Sequence, residues 1–421
     1  MLGFSTLFGV AALLAGVFAG DPFFIVQHGT ATFTTRVDPI INPGAISTHV
    51  HTVVGSSSFK NEYTYENNRN GKCTTANVVD DKSNYWAPQL YHKYDNGTFE
   101  LVRMNRVNTS GPDEEVHEFP EGFKMLAGSS KRSTYDDNDY ANKAISYTCL
   151  DYSGPGKPDT HEFPEYRCPQ DLRANIFFPN CWDGVNNWLE GSKHVAYPAS
   201  GGFDSGGPCP ATHPKRIMSL FYEFHFSDNY EYKAGARVWA NGDDVGYSSH
   251  GDFTNGWPTG LFPKVFEAGS TCDVGFSIEK CPVLEPIFTG SGGGTCTPDD
   301  PSVIIDEEVG ENGLLTALPG NNPLWSANGA PATNNASSSS SVNSTTPSTS
   351  ASAASSATSK VATTSSATLL VTPIGAIQSS APSSTSSSSV IGEIHLSPTH
   401  IEGASAGGQC KAKKRRLSAQ F

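Results

Sequence analysis

The sequence predicts a mainly β domain of sandwich or jelly-roll type, with long loops tied together by disulfide bonds. Short segments rich in β-branched and aromatic residues alternate between apolar and polar positions, which is the period of a strand. Glycine and proline, with 41 and 28 residues, interrupt the chain every few positions. A long, capped amphipathic helix is not predicted anywhere. Packed antiparallel sheets are the fold class that satisfies these three observations.

The strands are predicted from this alternation in chain order. They are Thr30–Val37, Ile46–Val54, Thr98–Met104 and Arg216–Phe226. The third follows the turn Asp95-Asn96-Gly97, which is a strong hairpin signal. In the last, alternate side chains share one face of the strand, so we expect these apolar residues to lie together: Leu220, Tyr222, Phe224 and Phe226.

Composition divides the 421 residues into segments of different character. Residues 1–19 are apolar and end in small residues, as in a cleaved secretory signal peptide. Serine, threonine, alanine and proline dominate from residue 321, and such a segment cannot bury enough apolar surface to fold. The predicted organisation is a signal peptide (1–19), one globular domain (20–301), a linker (302–320), a disordered stalk (321–409) and a basic tail (410–421).

Charge restricts the classes of partner. The formal net charge of −14 falls entirely on residues 1–300, which carry 36 acidic and 22 basic side chains. A domain this acidic argues against nucleic-acid binding, since phosphate contacts need clustered lysine and arginine. After removal of the signal peptide, no apolar run is long enough to span a membrane. We expect a secreted monomer, extracellular or associated with a cell wall.

Cysteines and glycosylation sequons agree with secretion. Eight of the nine cysteines lie in the globular segment, which predicts up to four disulfide bonds. Eight cysteines allow 105 pairings, and the sequence does not select one. The ninth, Cys410, lies in the tail. Asn96 and Asn108 each begin an Asn-X-Ser/Thr sequon in a turn-like context, as expected of surface acceptor sites.

Histidines supply the sharpest chemical signal. His49 and His51 are two residues apart in a predicted strand, so their imidazoles share a face about 7 Å apart along the chain. Such a pair can supply two metal ligands, with a third from a distant loop carrying His250, His213 or Asp252. Strand histidines also serve packing and hydrogen bonding, so both interpretations stand. A divalent metal is the cofactor that this pattern suggests.

Carboxylates and aromatic residues suggest further roles. Asp38 lies two residues after Arg36, as a salt-bridge partner or as a catalytic acid or base. Aromatic rings in such loops either stack on a sugar at the surface or, more often, build the core. The segments around Tyr85-Trp86 and Trp257 are flanked by turn residues, which makes these rings the best surface candidates. A glycoside hydrolase needs two carboxylates about 5–10 Å apart, a distance that sequence spacing cannot show. The sequence has no nucleophile elbow, P-loop or dinucleotide fingerprint.

Ten motifs occur in an order that resembles an uncharacterised, DUF-type domain family of secreted proteins in filamentous fungi, some of them linked to WSC carbohydrate-binding modules. The motifs begin at Arg36-Val-Asp-Pro, His49-Val-His, Cys73-Thr-Thr, Asp81-Lys-Ser-Asn-Tyr-Trp-Ala-Pro, Phe119-Pro-Glu-Gly-Phe-Lys-Met-Leu-Ala-Gly, Cys168-Pro, Phe178-Pro-Asn-Cys-Trp-Asp-Gly, Lys193-His-Val-Ala-Tyr-Pro, Cys209-Pro-Ala-Thr-His-Pro and His250-Gly-Asp-Phe-Thr-Asn-Gly-Trp. The chain departs from the family pattern at 185–188, where Leu-Asp is common, and at Gly251, where alanine is common.

The resemblance implies an extracellular protein and singles out a recurrent polar set, but it supplies no reaction. Within the shared motifs lie Asp38, His49, His51, His194, His213, His250 and Asp252. A recurrent polar set is more typical of a site than of a core. We expect metal ligation by His49, His51, His194 and His213, with Asp38, His250 and Asp252 as acid–base groups.

Two functions remain open from the sequence. The first is a secreted enzyme that acts on polysaccharide at a histidine-rich, metal-dependent site. The second is a non-catalytic protein that binds a cell-wall glycan and is displayed on a glycosylated stalk. In both, the partner is a polysaccharide.

Overall fold

A computed structural model describes residues 23–110, 116–204, 207–267 and 270–326, with side chains omitted for 105–110. Sixteen strands are present in this part of the chain. They are β1 (Ile25–His28), β2 (Phe33–Val37), β3 (Ile46–Gly55), β4 (Asn84–Pro88), β5 (Leu90–Lys93), β6 (Phe99–Leu101), β7 (Met104–Ser110), β8 (Lys124–Gly128), β9 (Ile145–Leu150), β10 (Asp171–Phe177), β11 (Cys181–Trp182), β12 (Val195–Ala196), β13 (Lys215–Arg216), β14 (Phe221–Phe226), β15 (Arg237–Trp239) and β16 (His250–Thr254).

Two antiparallel five-stranded sheets form a sandwich, as predicted. The first has the order β1-β7-β14-β10-β9 and the second the order β2-β3-β4-β16-β8. Their facing sides share one apolar core, where the rings of Tyr85 and Tyr222 lie 5.6 Å apart. At Gly251 the two sheets approach so closely that an added Cβ would lie 3.1 Å from side-chain atoms of Ile176 and Tyr222. Two three-stranded sheets, β15-β5-β6 and β12-β11-β13, complete the strand pairing.

The predicted strands are confirmed, with shorter bounds in three cases. The first, predicted from Thr30, begins at Phe33 as β2. Thr98–Met104 contains β6 and the first residue of β7, and Arg216–Phe226 divides between β13 and β14. The turn Asp95-Asn96-Gly97 joins β5 to β6 as an antiparallel hairpin. The expected apolar face is buried in the sandwich core and consists of Leu220, Tyr222, Phe224 and Phe226.

Helices are short in the described part of the chain. The three α-helices are α1 (Tyr65–Arg69), α2 (Tyr140–Lys143) and α3 (Phe262–Val265). The five 3-10 turns are Glu190–Ser192, Ile278–Lys280, Glu285–Ile287, Pro301–Val303 and Pro319–Asn321. None of these described helices is long and apolar enough to cross a bilayer.

Four disulfide bonds tie the loops, which confirms the prediction from eight cysteines. They join Cys73 to Cys296, Cys149 to Cys168, Cys181 to Cys209 and Cys272 to Cys281. The first closes 223 residues, so it anchors the end of the domain to a loop near its beginning. Four disulfides fit an extracellular protein.

The predicted boundary of the globular domain at residue 301 is wrong. The segment 302–326 packs on the sandwich: Arg36 donates a 2.6 Å hydrogen bond to Glu307, and Tyr91 donates one to the carbonyl of Val309. The indole of Trp325 donates to the carbonyl of Asn241. These residues are ordered because they cover apolar surface that the sheets leave open. The predicted signal peptide, the stalk beyond 326 and the basic tail with Cys410 lie outside the described residues.

The two sequons differ in their setting. Asn96 is exposed in the β5–β6 turn, where its side-chain oxygen accepts hydrogen bonds from the backbone and hydroxyl of Thr98. Asn108 lies within β7, paired with Gln27 on one side and Glu223 on the other. The prediction of a turn-like context is therefore wrong for Asn108, because a Thr/Ser-rich stretch there forms an interior strand. Its side chain lies outside the described atoms.

Candidate metal centre

Three histidines converge on the outer face of the second sheet. His49 and His51 are two residues apart on β3, so they project from the same face. His250 begins β16, which is separated from β3 only by β4. The registers Val53 to Trp86 and Trp86 to Asp252 align β16 with β3 across β4. The third histidine therefore lies on a strand, whereas the sequence led us to expect the third group on a loop.

Gly128 of β8 makes room for His250. The two residues are paired across the sheet, and Gly128 has a φ of 78°, in the left-handed region that favours glycine. A Cβ at this position would lie 2.4 Å from the carbonyl oxygen of Ser249 and 2.9 Å from the Cα of His250. Glycine here is required by the close approach of the strand that carries the third histidine.

The ring nitrogens of these residues are arranged as metal ligands would be. His49, His51 and His250, which we call the histidine cluster, place one potential ligand nitrogen each within 4.8 Å of the others. The Nε2 atoms of His49 and His250 are 3.1 Å apart. Two nitrogens that each lie ~2.0–2.1 Å from one ion are about 2.9 Å apart at a right angle and about 3.4 Å apart at a tetrahedral angle. The observed separation falls within this interval.

The opposite ring nitrogens are held by oxygen atoms, which orients the lone pairs. Nδ1 of His51 lies 3.2 Å from the carbonyl of Val37, and Nδ1 of His250 lies 2.7 Å from the carbonyl of Ser248. A carbonyl only accepts, so each Nδ1 of these neutral rings carries the proton and each Nε2 carries a lone pair. Nδ1 of His49 contacts the Thr48 hydroxyl, which either donates or accepts.

His51 carries the clearest sign of a missing partner. Its side chain is fully buried, yet its Nε2 has no hydrogen-bond partner among the described residues. Buried polar atoms are normally satisfied, so an unsatisfied lone pair pointing toward two other imidazoles needs an explanation. His49 and His250 retain 4% and 7% exposure, so the cluster lies just beneath the surface.

Burial keeps the three imidazoles neutral. It lowers the pKa of His51 and of His250 to about 4, and for His250 the neighbouring His51 ring adds to the effect. The pKa of His49 is lowered well below its usual value, first by burial and then by the two other rings. Neutral imidazole is the form that binds metal ions.

Two buried aspartates accompany the histidines, and we call them the acid pair. Asp252 follows His250 by two residues on β16 and faces the same way, with neither carboxyl oxygen hydrogen-bonded within the described structure. Asp38 accepts hydrogen bonds from the backbone N–H groups of Ile40 and Ile41. The structure thus brings together five of the residues singled out from the sequence: His49, His51, His250, Asp38 and Asp252.

Burial raises the pKa of both aspartates. For Asp252 it does so strongly, and the nearby Asp38 charge adds to it. For Asp38, burial raises the pKa, while the two backbone hydrogen bonds, the His250 ring when it is protonated and the Lys124 charge oppose the rise. Asp38 therefore lies close enough to His250, Lys124 and Asp252 to interact with each of them electrostatically.

Arg36 and Asp38 do not form the salt bridge considered from the sequence. Arg36 pairs instead with Glu307, which the predicted linker brings across the sheet. Asp38 is instead held by backbone N–H groups in the turn that follows β2. The two side chains are separated because β2 ends at Val37, before Asp38.

The aromatic residues expected at the surface are buried, so that prediction is wrong. Tyr85 and Trp86 lie on β4, both of whose faces are covered: Tyr85 points into the sandwich core, and Trp86 packs on Phe59 on the other side. Trp257 is also buried, and its indole donates to the Tyr85 hydroxyl. Flanking turn residues suggested exposure, but the chain folds over both faces of this strand.

His194 and His213 are not members of the histidine cluster, contrary to expectation. Nε2 of His194 lies 2.9 Å from the carbonyl of Lys124, and its Nδ1 accepts from the backbone of Leu189. His213 contacts the Thr212 hydroxyl and the carbonyl of Lys193. Both nitrogens of each ring are occupied, so these residues tie loops together.

Replacing His194 with asparagine is expected to reveal its structural role through pH. Burial lowers the pKa of His194 to about 4, below its unfolded value of about 6.5. The unfolded chain therefore takes up a proton first, and the contribution of His194 is complete above pH 6.5 and lost as pH falls toward 4. The difference in the free energy of unfolding between wild type and His194→Asn should shrink by about 2 kcal/mol as the pH falls across that range. Urea unfolding at pH 7 and pH 4 with a chelator present measures it, and a constant difference would contradict the assignment.

Lys124 and Gly128 were not singled out from the sequence, although both lie in one of its motifs. Phe119-Pro-Glu-Gly-Phe-Lys-Met-Leu-Ala-Gly contains Lys124 near its middle and ends at Gly128. Alternation along β8 was the available signal, since Met125 and Ala127 are buried in the core while Lys124 and Leu126 face the site.

The residues of this site lie in a segment that matches a known protein family. The sequence profile of a family described as a domain of unknown function, DUF1996, matches residues 38–257. The chain belongs to this family. The DUF1996 segment contains every member of the histidine cluster and the acid pair, together with Lys124 and Gly128. No curated protein and no solved structure matches the chain.

Proposed function

We propose that the histidine cluster binds one divalent transition-metal ion, and that this centre is the active site of a secreted enzyme acting on polysaccharide. The observation that carries the proposal is the convergence of three neutral imidazoles whose Nδ1 atoms are already held by oxygen. Nitrogen donors in this number favour Zn²⁺ or a neighbouring first-row ion over Mg²⁺ or Ca²⁺.

A bound ion of this kind polarises a substrate oxygen or acidifies a bound water. The chain's own residues would then supply the proton transfers. Asp252 lies two residues from His250 on the same face, and no described residue hydrogen-bonds to either of its carboxyl oxygens, so it can exchange a proton with a group in the site. Asp38 is anchored by two backbone N–H groups, which fits a fixed negative charge that orients its neighbours.

The alternative, a non-catalytic glycan-binding protein, has lost its main support. It depended on exposed aromatic rings at Tyr85, Trp86 and Trp257, and all three are buried. Among the described residues, neither the buried Nε2 of His51 nor the buried carboxyl of Asp252 has a hydrogen-bond partner, and sugar binding alone does not explain this. We therefore favour the enzyme.

Metal analysis of the purified full chain, paired with an activity survey, tests the proposal. The protein should be stripped with a chelator and loaded separately with Zn²⁺, Cu²⁺, Mn²⁺ and Mg²⁺, and bound metal measured after desalting. We expect about one transition-metal ion per chain and no retained Mg²⁺. Metal-dependent release of soluble sugars from wall polysaccharides should follow. A chain that retains none of these ions would refute the proposal.

A further inference from the structure

We propose that Lys124 makes this site selective for anionic glycans, binding a carboxylate or sulfate group of the polymer next to the acid pair. The inference rests on the proposed function, because it assigns a substrate class to the same site.

The position of Lys124 is defined by the sheet. It begins β8 opposite Thr254 of β16, two residues from the pair formed by Leu126 and Asp252. Its side chain therefore projects from the same outer face as the acid pair. The Lys124 and Asp38 charges influence one another, and the Asp38 charge raises the pKa of Lys124 against the lowering effect of burial.

The ammonium of Lys124 is held in place but has no ion-pair partner. Its Nζ lies 5.3 Å from the ring centroid of Trp188, a cation–π distance. No carboxylate of the described residues lies within 4 Å of this Nζ. A half-buried ammonium that no described carboxylate contacts directly is suited to a ligand anion.

Charge balance also favours an anion. A divalent ion and Lys124 carry three positive charges, and the acid pair carries at most two negative charges. The loaded centre is then net positive whatever the protonation of Asp38 and Asp252. Residues 1–300 are acidic overall, so the net charge of the domain repels a polyanion, and a local positive charge at this site would offset that repulsion.

The test compares polymers that differ only in charge. Metal-loaded full chain is assayed for binding to polygalacturonate and to its methyl ester, and to a sulfated galactan and its desulfated form. We expect tighter binding to at least one charged member, and the pair that responds identifies carboxylate or sulfate. Lys124→Met should weaken that binding about tenfold, and Lys124→Arg should restore most of it. Lys264→Met, which removes an exposed lysine on α3, is the matched control.

Metal content measured on the same samples separates the two proposals. If wild type holds its metal but binds charged and neutral polymers equally, the selectivity inference fails and the metal site stands. If Lys124→Met binds like wild type, the inference fails as well. A chain without metal refutes the proposed function independently of these affinities. Circular dichroism of each variant confirms that the fold is intact, and Lys124→Gln replaces Lys124→Met if the latter misfolds.

Discussion

His51→Ala is expected to lose the bound metal ion almost completely, from about one ion per chain to less than a tenth. His51 is fully buried, and its Nε2 is the cluster nitrogen that lacks any other partner. Removing one of three protein ligands leaves too few donors to hold a first-row ion through desalting. Elemental analysis after metal loading measures the loss.

Thermal unfolding gives a second measure of the same effect. A ligand at 100 times its dissociation constant stabilises the native state by about 2.7 kcal/mol, so Zn²⁺ should raise the Tm of wild type by several degrees. His51→Ala should show no such increase. His213→Ala, which removes a partly exposed histidine outside the cluster, should behave like wild type. Equal metal content in wild type and His51→Ala would contradict the assignment of the ligands.

Asp252→Asn is expected to stabilise the metal-free protein and to abolish turnover. Asp252 is buried, neither of its carboxyl oxygens has a hydrogen-bond partner in the described structure, and its pKa is raised by burial and by Asp38. Because the folded pKa exceeds the unfolded one, the contribution of Asp252 is most favourable below pH 4 and is lost as pH rises. The variant should therefore gain on the order of 2 kcal/mol over wild type at pH 8, and less at pH 4.

The enzymatic activity of Asp252→Asn should fall, although its stability rises. Loss of an acid–base group typically lowers the rate by about 10²–10⁴-fold, and we expect metal-dependent sugar release to fall within this range. Metal content should be unchanged, since three histidines remain. Glu279→Gln, the same carboxylate-to-amide change at an exposed position, should alter neither stability nor turnover. An Asp252→Asn protein as active as wild type would remove Asp252 from the mechanism.

Stability gained together with activity lost is the pattern expected of a functional group. Buried carboxyls without partners destabilise a fold, and proteins retain them where they serve chemistry. The same reasoning applies to His51, whose unsatisfied nitrogen has no structural benefit in the described contacts. The two variants together distinguish a metal ligand, which should lose metal, from an acid–base group, which should keep it.

Part of the site was predictable because it depends on local geometry. A strand has a period of two, so His49 and His51 had to share a face once β3 formed, and the same holds for His250 and Asp252 on β16. The number of disulfide bonds followed in the same way from an even count of cysteines. These conclusions need no knowledge of what lies across the sheet.

The rest depended on which strands became neighbours. β16 lies about 200 residues beyond β3, and only their common neighbour β4 brings His250 within 3.1 Å of His49. His194 and His250 both lie within the shared polar motifs, yet backbone groups bind both ring nitrogens of His194. Long-range pairing is not encoded in any short segment, so sequence patterns could not choose between these histidines.

Local sequence therefore established a β-rich, disulfide-bonded domain and the composition of its polar motifs, because strand period and cysteine count act within short stretches or over simple totals. Long-range packing established the partners: Cys73 with Cys296, three histidines around one point, and Lys124 at the edge of the acid pair. It also buried Tyr85 and Trp86, since burial depends on what covers both faces of β4. The chemistry of this protein resides in contacts between residues far apart in the chain, and those contacts form only when the two sheets and their covering loops assemble.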